Sequence, residues 1–216
     1  MDLKKKHKMK KMFYGIFGLF IPLYSLIFSQ KGPHGDLVLV TFSQIGARYG
    51  AIEQLIIWGI ITSLYYFSFL SYLFDLSGSS SRVLRMLLSI TCLTLLITVF
   101  LPYAPSMFPI VAATHNYLAY ITATATVFTM SIFIISLYQI DEKLFYRSLI
   151  IFAIAVAILI YFLITFGVSS LFQIVLSFIM CSLMYVELIL LEKSPKINIY
   201  QNTNHNFLES DELNIF

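Results

Sequence analysis

Charge is the first shortage. Only 12% of the 216 residues are Asp, Glu, Lys or Arg, against 59% hydrophobic, and the mean hydropathy is +0.84. A soluble domain carries roughly a quarter charged residues. About half that supply does not cover a water-facing surface, so the solvent of this chain is mostly lipid. Cysteine is equally scarce: Cys92 and Cys181 both lie inside apolar runs, where they act as small hydrophobes. No CxxC or Cys/His ligand spacing exists, so neither a disulfide scaffold nor a zinc site is indicated. Catalytic fingerprints are missing too, with no G-x-S-x-G, H-E-x-x-H, P-loop or dinucleotide motif. No cofactor and no metal are therefore expected. Alternating apolar-polar strands are absent, which argues against a membrane β-barrel, and no internal repeat is visible.

What the chain does have is long apolar runs. A helical span needs about 20 mostly apolar residues. Six such runs occur, near 12–29, 51–73, 86–101, 116–138, 148–166 and 171–191. The expected fold class is all-α, a polytopic six-span helical bundle over 12–192, with a basic segment 1–11 before it and a polar, mobile tail 193–216 after it. The first 29 residues imitate a signal peptide, but no A-x-A-like cleavage site precedes Lys31, so Met12–Ser29 is read as a retained first span.

The basic residues choose the orientation. Lys4, Lys5, Lys6, Lys8, Lys10 and Lys11 crowd the start of the chain. With that start inside, Arg82, Arg85, Lys143, Arg147, Lys193 and Lys196 also fall inside, and only Lys31 and Arg48 of the 14 fall outside. The positive-inside bias thus predicts a multi-pass cell-membrane protein with both termini cytoplasmic. A basic block directly before an apolar run reads as a topology signal rather than a nucleic-acid site, so membrane lipid is the expected partner and nucleic acid is not.

Helices in lipid associate through small and polar residues, and several spans carry such a stripe at helical spacing. These are Gly15, Gly18, Pro22, Ser25 and Ser29 in the first; Thr91, Thr94 and Thr98 in the third; His115, Ala119, Thr122, Thr126 and Thr129 in the fourth; and Ser170, Gln173, Ser177, Met180, Met184 and Glu187 in the sixth. The stripes are expected to face the bundle interior, either as plain packing or as the wall of a polar cavity. Gln173 and Glu187 are the intramembrane polar groups of note. Glu187, about one turn inside the cytoplasmic edge, is expected to reach headgroup water or to pair with Lys193 or Arg147.

The other face collects further polar groups. Loop 30–50 brings His34, Asp36, Ser43, Gln44 and Arg48, Glu53 follows it, and the proline-rich loop 102–115 delivers His115 and Asn116. These are the ligand-binding candidates. A carboxylate near an imidazole suits acid/base chemistry or a metal, and Arg48 suits an anionic headgroup. The structural alternative is an Arg48–Glu53 ion pair, with His115 and Asn116 capping the fourth helix.

The segment S-Q-I-G-A-R-Y-G at 43–50, before span two, and L-P-Y-A-P…A-T-H-N-Y-L-A-Y at 101–120 together resemble the bacterial DUF998 family of membrane proteins. In that family an S-E-L-G type loop precedes span two and a Pro-containing loop leads to a histidine opening span four. The layout is more weakly similar to the six-span Frag1/DRAM-type proteins of eukaryotes. The matching positions are Ser43, Gly46, Pro102 and His115, while Gln44 stands where the family pattern has an acid. The resemblance covers roughly 12–192 and implies architecture more than activity.

Three functions compete at this point. First comes a lipid- or small-ligand-binding or accessory protein with an outward polar cleft. Second is an integral membrane enzyme acting on a lipid, with His115 as base or metal ligand. Third is a small transporter, disfavoured by few intramembrane charges and no inverted repeat.

Overall fold

Helix boundaries follow from capping residues that flank the apolar runs. In a computed structural model, which describes residues 3–33, 37–79 and 81–197, seven helices account for these runs: α1 (Leu3–Ser29), α2 (Phe42–Arg48), α3 (Ile52–Ser77), α4 (Arg82–Phe100), α5 (Pro109–Leu137), α6 (Glu142–Phe166) and α7 (Ser170–Lys193). Ser81 caps α4 by accepting from the Leu84 amide, Asp141 caps α6 through the Lys143 and Leu144 amides, and Ser169 caps α7 through Phe172. Each side chain satisfies one or two of the amides that a helix start leaves unpaired. Between α6 and α7 the turn is short because Gly167 adopts φ +61, a conformation open to glycine at little cost.

Six of the helices, all but α2, are long and apolar enough to cross a membrane. Even the shortest, α4 with 19 residues, is about 28 Å long at 1.5 Å per residue, close to the hydrocarbon thickness. The exterior agrees with a lipid solvent. The most apolar window, in α6, is only 11% buried, and Ile150, Ile154, Ile158 and Ile164 stand exposed along it.

Several expected boundaries move outward. α1 begins at Leu3 rather than at 12, so the basic segment is itself helical; lysine is a good helix former. Capped by Ser81, α4 starts at Arg82, four residues before 86, and Pro109, at the first position of α5, starts it seven before 116. Much of the charged segment 139–147 belongs to α6, whose cap is Asp141. Loop 30–50 contains α2. Pro195 to Ile197 form one more helical turn with Ile197 buried, so the segment after 193 starts as packed structure. The rest of the expected mobile tail, 198–216, lies outside the described residues.

α4 packs against α3 and α5, α7 against α1 and α6, and α1 against α3; α5 and α7 scarcely meet. Small residues set the close approaches. A Cβ on Gly59 of α3 would lie 2.6 Å from the Val99 methyls of α4, and one on Gly18 of α1 would lie 2.6 Å from the Tyr65 hydroxyl. That hydroxyl donates to the Tyr14 carbonyl at 3.1 Å. The start of α1 and the end of α7 share one end of the bundle, where His7 Nε2 lies 2.7 Å from Glu192 Oε1 and Lys11 also reaches Glu192. Tyr72 bonds the other nitrogen of His7. A large apolar core fills the middle and this end. A second, smaller cluster, built on Phe28, Phe42, Ile45 and Leu55, seats α2 in the opposite mouth.

Candidate functional site

The short helix α2 is held from both sides, and that fixes where Ser43 points. Thr41 and Gln44 make a reciprocal capping box: Thr41 Oγ1 accepts from the Gln44 amide, and the Gln44 side chain accepts from the Thr41 amide at 2.9 Å. The start of α7 ties down the same segment. The Ser170 amide and hydroxyl both donate to the Val40 carbonyl at 2.7 Å, and the Phe42 amide donates to Gln173 Oε1 at 2.8 Å. Ser43, one residue on, is thereby presented to α5.

There it meets His115. Ser43 Oγ is 2.6 Å from His115 Nε2, and His115 Nδ1 is 3.0 Å from the Leu101 carbonyl oxygen. A carbonyl only accepts, so Nδ1 carries the proton and a neutral ring leaves Nε2 as acceptor for the serine hydroxyl. Leu101 is free to take this role because it is the C-cap of α4, and a helix end leaves its last carbonyls without intrahelical partners. The imidazole is 2% exposed and lies against the Tyr103 ring at 5.6 Å between centroids.

This pair sits at the polar end of a cavity of about 360 Å³ that occupies the gap between α5 and α7. Ser43, His115, Asn116 and Gln173 cluster at the end of the wall built by α2 and the helix starts, while Tyr66, Leu95, Leu176 and Met180 line the deeper part. Most hydroxyls between these ends bond back to their own helices, as Thr98, Thr126 and Ser177 do. Two do not. Thr62 Oγ1 and Thr122 Oγ1 are buried in the wall with no hydrogen-bond partner among the described residues. A buried hydroxyl without a partner is costly, and these two oxygens are shut off from the cavity surface as well as from neighbouring polar groups. The cavity also has a side opening. Tyr120 and Thr124 of α5, Leu163 of α6 and Val168 line the cavity and are exposed, which puts its opening beside α5 and α6.

No protein-family model matches the chain, and no curated protein or solved structure does.

The structure therefore joins Ser43, His115, Asn116 and Gln173 and leaves other expected members elsewhere. Gln44 is spent on the capping box and does not line the cavity. Arg48 ends α2 and Glu53 opens α3, both exposed and outside the wall. The expected grouping of these two with His115 does not form, because α2 turns its Ser43 side toward the cavity and carries Arg48 round to solvent. Nor is there an Arg48–Glu53 ion pair among the described residues. His34 and Asp36 lie outside the described residues. Glu187 is fully buried far from this site and takes a 2.6 Å hydrogen bond from Ser148 rather than pairing with Lys193 or Arg147, with Oε1 unpartnered. Among the described residues no group of three His, Cys, Asp or Glu could hold a metal, and both ring nitrogens of His115 are already bonded.

The stripes noted in the sequence (Thr98; His115, Ala119, Thr122 and Thr126; Gln173, Ser177 and Met180) do line this cavity. Sequence reasoning missed the Leu101 carbonyl, which no side-chain pattern marks; only the helix-ending Leu-Pro step at 101–102 hints at it. It also missed Thr62, an isolated hydroxyl whose face of α3 is otherwise aromatic and aliphatic.

Proposed function

We propose that this chain is a multi-pass protein of the cell membrane, with its basic end in the cytoplasm, whose outward cavity binds an amphiphilic lipid. The ligand's polar group lies at Ser43, His115, Asn116 and Gln173, and its apolar part passes toward Met180 and Leu176 or out through the side opening. The observation that carries this reading is the cavity's polarity gradient, with bonded polar groups at one end and an opening onto the lipid-facing surface at the side. Pockets of this size and mixed lining are what small-ligand sites require. Twelve basic residues at the end where His7 meets Glu192 support the orientation. The two segments behind the DUF998 resemblance, 43–50 and 101–120, are also the two that supply Ser43, Leu101 and His115, which fits a membership in that family.

The test is native mass spectrometry of the protein released from its own membrane in a mild detergent. Wild type is expected to carry a stoichiometric lipid, and Ala119→Phe, which places a ring in the cavity wall, is expected to lose it without losing the fold. Equal lipid retention in both overturns the reading.

One observation favours a second reading, an enzyme. A serine hydroxyl on an imidazole whose other nitrogen is oriented by an acceptor is the arrangement of an activated nucleophile. In that case Ser43 Oγ attacks a lipid ester carbonyl, His115 Nε2 takes the hydroxyl proton and delivers it to the departing alcohol, and water then releases the acyl group from Ser43. Labelling by a fluorophosphonate probe, lost in Ser43→Ala, supports this reading. A probe-inert wild type that still holds lipid leaves binding as the function.

A further inference from the structure

The opposite end of the bundle carries a second concavity, unrelated to the one above. It measures about 410 Å³ and lies between the start of α6 and the end of α7. Four cationic side chains border it: Lys143 and Arg147, one turn apart on α6, Lys193 at the end of α7, and Lys196 in the turn that follows. Residues four apart share a helix face, so the α6 pair points to the same hollow that α7 borders.

The acids nearby use up only part of this charge, Asp141 lying within electrostatic reach of Lys196. Asp141 is committed to structure: Oδ1 accepts from the Lys143 and Leu144 amides at 3.1 and 3.4 Å, and Oδ2 accepts from Ser194 Oγ at 2.7 Å. Glu142 is the other acid at the rim. None of the four cations forms a salt bridge among the described residues. The hollow thus holds a surplus of two positive charges, four against two, contributed by three segments at the basic end of the bundle. Basic pockets between membrane helices near a cytoplasmic surface suit phosphate groups, to which both lysine and arginine donate.

We infer that this pocket binds a phosphate-bearing anion, presented either by the headgroup of an acidic membrane lipid or by a soluble phosphate compound. Lys143 and Arg147 approach the phosphate from α6, and Lys193 and Lys196 close on it from the far side. The inference needs only the end of the bundle and is independent of what occupies the outward cavity.

The experiment uses the full chain in mild detergent with phosphatidic acid and phosphatidylcholine added together, read by native mass spectrometry. Wild type is expected to retain phosphatidic acid preferentially. The triple variant Lys143→Gln, Arg147→Gln, Lys193→Gln should lose at least tenfold of that preference. A control removing equal charge at the same end outside the pocket, Lys5→Gln, Lys8→Gln, Arg82→Gln, should keep it. Displacement of phosphatidic acid by inorganic phosphate identifies a soluble occupant, and persistence against it identifies a lipid headgroup. If the triple variant keeps the preference, or if the control loses it equally, the pocket is not a phosphate site. All six positions are exposed, so the variants fold, which a melting temperature on each sample verifies.

Discussion

Replacing His115 with alanine removes two hydrogen bonds from a site where their partners are unequal. Ser43 is half-exposed on the cavity side and can turn its hydroxyl toward the cavity, so its loss is small. The Leu101 carbonyl is fixed by the end of α4 and takes its side-chain hydrogen bond from His115 Nδ1. Leu101 is itself half-buried, so the cost of about 1–3 kcal/mol for an acceptor left unpaired away from water is an upper bound here. By contrast, side-chain hydrogen bonds between membrane helices average only about 0.6 kcal/mol in double-mutant cycles. Ser43→Ala, which removes only the outer bond, is therefore expected to cost about 0.5 kcal/mol. Equilibrium unfolding in mixed detergent micelles reads the difference, and each kcal/mol corresponds to about 2–4 °C in melting temperature for a chain of this length. His115→Ala should thus melt several degrees below Ser43→Ala. If the two variants prove equally stable, the Leu101 carbonyl is not the partner that matters, and the tautomer assigned to His115 falls with it.

Other consequences follow from single contacts. Gly59→Ala pushes a methyl to 2.6 Å from Val99 and should cost about 1–3 kcal/mol by overpacking; a second change, Val99→Ala, should recover most of it, and an additive double mutant would contradict the close α3–α4 approach. Ser148→Ala strips Glu187 of its donor and should destabilise the fold, whereas Glu187→Gln should be close to neutral; reversed order in unfolding assays would place the buried carboxyl elsewhere. Asp141 provides the pH dependence. Burial opposes its charge, but the Ser194 hydroxyl, the Leu144 and Lys143 amides and the Lys196 charge outweigh that and hold its carboxyl below the ordinary 3.8. Its folded value being the lower one, the unfolded chain binds the proton first. The stabilisation is present above that ordinary value and is lost as pH falls through the folded value. Between pH 6 and pH 3, Asp141→Asn should lose less stability than wild type, and parallel losses would refute this.

Much of the architecture is legible in the chain because the hydrocarbon core leaves few alternatives: uncharged runs of sufficient length must satisfy their backbone within a helix. The number of long apolar helices follows from that alone. Their ends do not, since caps such as Ser81 and Asp141 and the first-position Pro109 extend helices into segments that read as loops. The site is legible in part. Helical spacing finds the stripe from His115 to Thr126, and spacing also lines up Gln173 with Ser177. Which loop groups join them depends on the rotation of α2, set by the Thr41–Gln44 box and by α7. Residue spacing carries no information on that rotation, so in the sequence Arg48 and Glu53 are equivalent to Ser43. Glu187 shows the same gap: its partner is a serine, Ser148, at the start of a stretch of α6 that is almost wholly apolar from Leu149 to Ile164.

A lipid that occupies the cavity enters the bundle between α5 and α7 instead of merely coating it. Photo-crosslinking tests it directly, with a phospholipid bearing a diazirine in its acyl chain and tandem mass spectrometry to place the adducts. Adducts are expected on cavity residues such as Leu176 and Met180, suppressed in Ala119→Phe. Adducts confined to the outward isoleucines of α6, and unchanged in that variant, would contradict such entry.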